Sequence, residues 1–476
     1  VITVTDFDAR WLGEPSLKFG DGEAKDPRAG LLKHGPWTPG EESSHNDIYV
    51  GFIGTSHSIS AVKRLFTEME TVIPRDEEEP QRHKPPFPAL GTDSAFRASF
   101  TMLDRWTWEM PPSDVELVTD EPTTDKSVET LLDLMEIYIK DLAGDDPPPN
   151  VIVISLPEEI EEACTPPDKS KPKMKAGDTD FHDRIKTFGL EYDVPTQLIR
   201  PSSLRFDADE GQEKAEVAWN LAVAMLYKSR EGHPWKLGHL ENDTCYAGIS
   251  FYRVRHGNQN QTRASLAQVF LGTGESFVLR GGQAVRDEST GNNHLTEDSA
   301  EEIVGQILDQ YKRKRRGAEP SRFVLHKTSR FLPGEREGFK RGAGDIDKLD
   351  FVTVRDGDPV RLYSSGNYPP LRGTVVTPKG ENKHFLYTQG YTPAIQTYPG
   401  PRIPAPITVE LDPEVCHSSY EEICEEILSF TKLDWNTSDF AKKKPVTIRV
   451  AQAVGAILAE ADKRGITVKP QYYYYM

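Results

Sequence analysis

The stretches HDRIKTFGLEYDVPTQLI (182–199) and NLAVAMLYKSREGHPW (220–235) decide how this chain reads. In the first, His182 and Lys186 are four positions apart, so in a helix both project from one face, one turn above the other. Asp178 or Thr179 is placed to cap the start of that helix. Gln197 follows a Val-Pro-Thr turn and enters an apolar, strand-like run. The second stretch is an Ala/Leu-rich helix closed by Lys228, with Asn220 on roughly the same side about two turns earlier. One imidazole, two ammonium groups and one amide suit a terminal phosphate. The lysines supply charge, the amide supplies directional donors, and the imidazole can stack on a base. Taken singly, each residue has a plainer explanation, since the helix dipole alone favours a lysine at a helix C-terminus. The ordered set carries the phosphate reading.

Around these stretches the chain alternates strands and helices. DIYVGFIGT (47–55) reads as a buried strand and residues 58–69 as an amphipathic helix. Residues 127–142 form a second helix, with Val128, Leu131, Leu132, Met135, Ile139 and Leu142 at helical spacing. VIVISL (151–156) is a short β-branched run, hence another buried strand. That alternation predicts an open, largely parallel sheet, an α/β fold. From about Gly238 the pattern changes. Strands are expected at 244–252, 267–271, 275–279, 322–326, 351–354, 373–376 and 385–388, with helices at 300–312, 419–430 and 449–463.

The 476 residues suffice for about two to three domains with sizeable cores. No apolar run approaches the roughly 20 residues that span a bilayer, so no membrane association is expected. Cys164, Cys245, Cys416 and Cys424 are scattered, with no CxxC pair to suggest a zinc site or a disulfide framework. A reducing, cytoplasmic setting fits. The net charge of −18 opposes a free-standing nucleic-acid binder, which is ordinarily basic. The charge is clustered, however. Acid gathers in RDEEEP (75–80), EEIEEA (158–163) and SYEEICEE (419–426), and base in KSKPKMK (169–175), KRKRR (312–316) and AKKK (441–444). An acidic exterior is compatible with a dedicated nucleic-acid channel and with a constitutive protein partner.

In order and approximate spacing, His182, Lys186, Gln197 and Lys228 resemble the 5′-phosphate pocket of the Argonaute/Piwi family, and the run from Asn220 to Trp235 is similar to its prokaryotic form. LKFGDG (17–22), DPRAGL (26–31) and HGPW (34–37) are similar to the lead-in segment of prokaryotic Argonautes. The resemblance covers almost the whole chain. It implies a lead-in over 1–45, a Rossmann-like MID domain over 46–235 and an RNase H-like PIWI domain over 236–476, without the N and PAZ domains of long Argonautes.

The same resemblance locates where target-cutting carboxylates would lie, since cutting members hold two Mg²⁺ ions on them. Ser250, in CYAGIS (245–250), holds the place of the first aspartate. Lys327, in VLHKT (324–328), holds that of the second, and Gln452 that of the last ligand. Glu297, Glu301 and Glu302 all fall where a mobile glutamate would be sought. An ammonium in place of a ligand carboxylate repels Mg²⁺, so the PIWI site is expected to be inactive. If the alignment is displaced, Asp309, Asp345 and Asp347 become candidates, although none ends an apolar strand.

Thr388 and Gln389 occupy a strand end that contacts guide phosphates in the family, although an ordinary turn explains them equally well. The chain ends QYYYYM, and the resemblance implies that the Met476 carboxylate helps hold a Mg²⁺ at the guide 5′ end. Four tyrosines beside it predict a buried tail. The implied partners are a 5′-phosphorylated guide RNA, single-stranded target DNA and a separate APAZ-containing effector of TIR, sirtuin-like or nuclease type. A higher oligomer formed on target binding is compatible with that set. Two other readings stand beside it: an active guided endonuclease with unplaced carboxylates, and a scaffold with a vestigial pocket.

Overall fold

A computed structural model describes residues 6–37, 46–75, 83–165, 181–206, 213–229, 233–238, 240, 243–256, 259–271, 275–282, 284–363, 365–398, 400 and 402–476. Asp178, Thr179 and the KSKPKMK run lie outside these residues.

Strand–helix alternation in the first half produces a parallel sheet. In spatial order Ala98–Thr101, Asn46–Gly54, Val151–Ser155 and Thr196–Leu198 run parallel, with Thr107–Glu109 also paired to Asn46–Gly54. Side chains alternate across each strand, so Val50, Phe52 and Val153 turn to one face while Ile53, Ile152 and Ile154 turn to the other. Helices Ser56–Glu68 and Lys214–Lys228 cover the first face. Helices Thr124–Ala143 and Phe181–Tyr192 cover the second. Burial on both faces explains why VIVIS is apolar without a break. Phe181, Ile185, Phe188 and Leu190 hold the helix that carries His182 and Lys186 in place, each buried side chain contributing about 1.5–3 kcal/mol.

The second half is built on nine strands. Their spatial order is Phe7–Trp11, Thr374–Pro378, His384–Leu386, Ile407–Cys416, Lys348–Asp356, Arg322–Lys327, Thr244–His256, Gln259–Leu271 and Ser276–Leu279. Arg322–Lys327 runs parallel to both of its neighbours, and the other pairs are antiparallel. Helices Glu297–Lys314 and Pro333–Ala343 pack on one face, over Ala247, Ile249 and Leu325. Helices Tyr420–Phe430 and Val446–Arg464 pack on the other, in a core continuous with that of the first half. Gly248 permits this closeness, because a Cβ there would lie 1.8 Å from the Thr447 carbonyl oxygen. Trp235 and Trp435 tie the halves: each indole N–H donates to a backbone carbonyl across the junction, that of Lys432 and that of Trp235 respectively, both at 3.1 Å.

The expected elements form with shifted ends. Several others were not expected: strand Phe7–Trp11, helix Pro27–His34, helix Pro333–Ala343 and the ten-residue strand Ile407–Cys416. The last is broken in sequence by Pro413, which lies beside a register shift in its pairing with Lys348–Asp356. All four cysteines are free, and none of the helices among the described residues is long and apolar enough to cross a membrane.

Candidate nucleic-acid interface

Lys228 is the last residue of helix Lys214–Lys228 and is only 3% exposed. Its ammonium donates to Gln197 Oε1 at 2.7 Å and to the Thr196 carbonyl at 2.9 Å. Both acceptors are neutral, and among the described residues no carboxylate lies within ion-pair distance of it. Burial, with the nearby charge of Lys186 adding to it, holds the Lys228 pKa well below the ordinary lysine value. Among the described residues the ammonium is therefore desolvated without a counter-charge, an arrangement that an anion would relieve.

Gln197 lies in strand Thr196–Leu198 and donates from Nε2 to the Leu198 carbonyl at 2.9 Å. Lys186 is held by Asp183 at 3.1 Å, one turn back on its own helix. One turn above it, His182 stacks on Phe181 with ring centroids 4.0 Å apart. Its Nδ1 lies 3.3 Å from an Arg200 guanidinium nitrogen, and its Nε2 lies 3.6 Å from Glu161. The structure thus joins Gln197 to Lys228 directly, sets Lys186 within electrostatic reach, and places His182 one turn above Lys186. Arg200 is a further cation at this site that the sequence reading missed; the only signal was a basic residue ending TQLIR. Asn220 serves the junction instead: its Oδ1 accepts from the Ser438 N–H at 2.9 Å and the Ser438 hydroxyl at 3.0 Å.

The tail is buried, as its tyrosines predicted, with Met476 6% exposed. Tyr472–Tyr475 form a single 3₁₀ turn. The Tyr474 hydroxyl and the Lys469 ammonium both engage Asp193, just past the helix that carries Lys186. Tyr472 and Tyr473 lie 6.2 and 6.4 Å from the ring of Tyr227, next to Lys228 in sequence. The tail is therefore anchored to both helices of the lysine pair.

Thr388 lies just past the strand His384–Leu386 and donates to the Lys443 carbonyl at 2.6 Å, while its own carbonyl accepts from Arg372. With Gln389 it lines a cavity of about 320 Å³ to which Arg28, Arg372, Lys442 and Lys443 also contribute.

Of the three positions read as degenerate metal ligands, Ser250 and Lys327 lie on opposite faces of the sheet. Ser250 is buried and follows Ile249, which pairs with Lys327. Paired residues share a sheet face and successive residues alternate, so Lys327 points away from Ser250, towards helix Pro333–Ala343. His326 shares the face of Ser250, with Nδ1 2.9 Å from the Thr447 hydroxyl. Burial, with the charge of Arg322 adding to it, pushes its pKa down to about 3. Gln452 lies on helix Val446–Arg464, and its side chain is outside the described set.

Lys327 is fully buried and ion-paired with Glu335, and its ammonium lies 3.3 Å from His294 Nδ1. Burial pulls its pKa down to about 8 against the opposing pull of Glu335. Burial would raise Glu335, but hydrogen bonding to His294 and the charge of Lys327 outweigh it and leave its pKa lowered. Glu297 and Glu301 pair with Arg341, Glu302 accepts from Gln306, and Asp309, Asp345 and Asp347 are exposed. Among the described residues no cluster of three His, Cys, Asp or Glu residues stands ready to hold a metal.

No protein-family model matches the chain. Its sequence is 24% identical over 296 residues to an Argonaute of Cereibacter sphaeroides (strain ATCC 17025 / ATH 2.4.3), a match covering 56% of this chain and 35% of that protein. In structure it is similar to Clostridium butyricum Argonaute bound to a guide DNA and a 19-mer target DNA, with TM-score 0.61, 14% identity, and coverage of 96% of this chain and 53% of that one. Drosophila Piwi gives TM-score 0.59 at 14% identity, covering 98% and 56%. Marinitoga piezophila Argonaute in complex with a 5′-OH guide RNA gives 0.56 at 12%, covering 100% and 60%. The fold is that of the MID and PIWI portions of Argonaute proteins, and the chain spans little more than half the length of these solved relatives.

Proposed function

We propose that this chain uses a 5′-phosphorylated guide RNA to recognise single-stranded target DNA, does not cut it, and signals to a separate effector subunit. The observation that carries the reading is Lys228, a buried ammonium whose partners are a backbone carbonyl and the Gln197 amide. A terminal phosphate entering here gains charge-assisted hydrogen bonds from Lys228 and Lys186. His182, one turn above, offers a ring to the first base, and Arg200 adds a cation beside it. The cavity at Thr388 and Gln389 is a second candidate for later backbone phosphates of the same strand, which would have to draw Arg372, Lys442 and Lys443 from Glu14, Asp439 and Asp356.

Mg²⁺ keeps near-octahedral oxygen coordination and is commonly shared between one or two carboxylates and substrate phosphates. The donor set here is compatible with that habit. The Met476 carboxylate ends a tail anchored beside both pocket helices, and guide phosphates would supply the remaining oxygens. Bound there, the ion would offset repulsion between adjacent phosphates.

The absence of cutting rests on Ser250, Lys327 and Gln452, none of which is a carboxylate, with Lys327 sequestered by Glu335. The effector is read as an APAZ-containing protein of TIR, sirtuin-like or nuclease type, acting in prokaryotic defence against phage and plasmids. The partner reading draws on the resemblance and on the acidic exterior.

The test is binding of matched RNAs bearing a 5′-phosphate or a 5′-hydroxyl, followed by incubation with complementary DNA in Mg²⁺ or Mn²⁺. Tight, phosphate-dependent binding with intact target supports the proposal. Target cleavage would favour an active endonuclease, and equal weak binding of both RNAs a scaffold with a vestigial pocket.

A further inference from the structure

The nine-stranded sheet treats its two edges differently. At Ser276–Leu279 the Val278 N–H donates to the Pro470 carbonyl at 2.8 Å, and Phe277 bridges to Gln471, so the C-terminal segment closes that edge. At the other end, Phe7–Trp11 pairs, among the described residues, with Thr374–Pro378 alone, and all five residues are exposed. The Asp6 carbonyl accepts from the Lys379 N–H, and the Leu12 N–H donates to the Gly373 carbonyl. By antiparallel alternation the even residues bond inward, so the N–H and C=O groups of Phe7, Ala9 and Trp11 point out of the sheet. Phe7 is 47% and Trp11 53% exposed, and with Ala9 they share one face. Arg10, on the other face, is spent on Glu421 of helix Tyr420–Phe430 at 3.1 Å. The strand has no proline, and its charged residues Asp8 and Arg10 lie on the face opposite Phe7, Ala9 and Trp11, so one apolar face and the outward backbone groups are presented at the edge.

We infer that the edge strand Phe7–Trp11 is the docking site for a basic, extended segment of a partner protein, which adds a tenth strand to the sheet. This deepens the partner part of the proposed function and rests on it. Charge selects the occupant. Asp6 and Asp8 lie on the strand or at its start, with Glu421 and Glu425 on consecutive turns of the adjoining helix. Against them stand Arg10 and Lys379, paired to Glu421 and Asp6. The whole chain carries −18, which opposes pairing with a second copy and favours a cationic strand.

The probe is a fluorescein-labelled decapeptide alternating lysine with valine and threonine, followed by anisotropy. Two controls are its glutamate counterpart and a version N-methylated at alternate residues. Ala9→Pro removes only an outward N–H, so internal pairing survives; Phe7→Lys removes the apolar contact and adds a repelling charge. Melting curves check that both variants fold. Binding of the lysine peptide should fall at least tenfold in each variant, and at least tenfold for either control peptide on the unaltered chain. Equal binding by the glutamate peptide, or no loss in either folded variant, would overturn the inference. A concentration-dependent dimer abolished by Ala9→Pro would also overturn it, assigning the edge to a second copy. Affinity for 5′-phosphorylated RNA should not change in either variant. Failure of guide binding alone would therefore sink the guide reading and leave the docking result intact.

Discussion

Lys228 and Lys327 are both buried, and each is the last residue of a regular element, yet they end in opposite electrostatic states. Lys228 closes a helix against two neutral oxygens, with a second lysine adding repulsion. Lys327 closes a strand against a carboxylate and an imidazole. The first site retains an unmet demand for negative charge; the second has met it internally. A buried cation is evidence of an anion site only when its counter-charge is missing. By that criterion the first half of the molecule carries the candidate anion site, and the second holds a closed ion pair.

The comparison breaks most visibly if the lysine pair is removed. Each charge-assisted contact contributes about 1.5–3 kcal/mol. The double substitution Lys186→Ala, Lys228→Ala should therefore weaken a 5′-phosphorylated guide by about several hundred-fold or more. A 5′-hydroxyl guide should lose far less; equal losses in a filter-binding titration would show that no phosphate sits there.

At the closed site the same logic predicts damage to stability instead of binding. Glu335→Gln strands the Lys327 charge and should cost about 3–5 kcal/mol in urea unfolding. Lys327→Met with Glu335→Leu should recover most of that, and guide affinity should stay put throughout. A double variant no more stable than the single one would mean that the pair is not a self-contained unit.

The tail comes next. Amidating the Met476 carboxylate removes one charge and leaves the tyrosine packing, so guide affinity should fall by one contact, about 1.5–3 kcal/mol, together with its Mg²⁺ dependence. Unchanged affinity would assign the tail to packing alone.

The smallest effect sharpens the electrostatics. Free Lys228 has a lowered pKa, and a phosphate beside it would raise that value again, so binding takes up a proton. Affinity for a phosphorylated guide should fall as pH rises from the free pKa to the bound one, and the trend should vanish in Lys228→Met. Calorimetry in buffers of different ionisation heat reads the proton directly; no uptake would mean that Lys228 is already charged.

Much of this was legible in sequence because it is periodic. The parallel first sheet followed from VIVIS and DIYVGFIG, and the nearness of Lys186, Gln197 and Lys228 from residues placed by a helix, a strand and a helix end. Phe7–Trp11 was not legible: five residues with an aspartate and an arginine look like a connector until a partner strand hundreds of positions away is in place. Ile407–Cys416 was hidden by its internal proline. Which face Lys327 takes relative to Ser250 was not legible either, because only the register with Ile249 assigns one.

By itself, the sequence determined which residues carry charge and which stretches must be helix or strand, since those follow from covalent chemistry and local periodicity. Only the tertiary structure decided which lysine is answered by a carboxylate, which sheet edge is exposed among the described residues, and that the last six residues brace helices more than two hundred positions earlier. Each of these depends on what lies opposite across space, and burial turns that adjacency into an energy that no local pattern encodes.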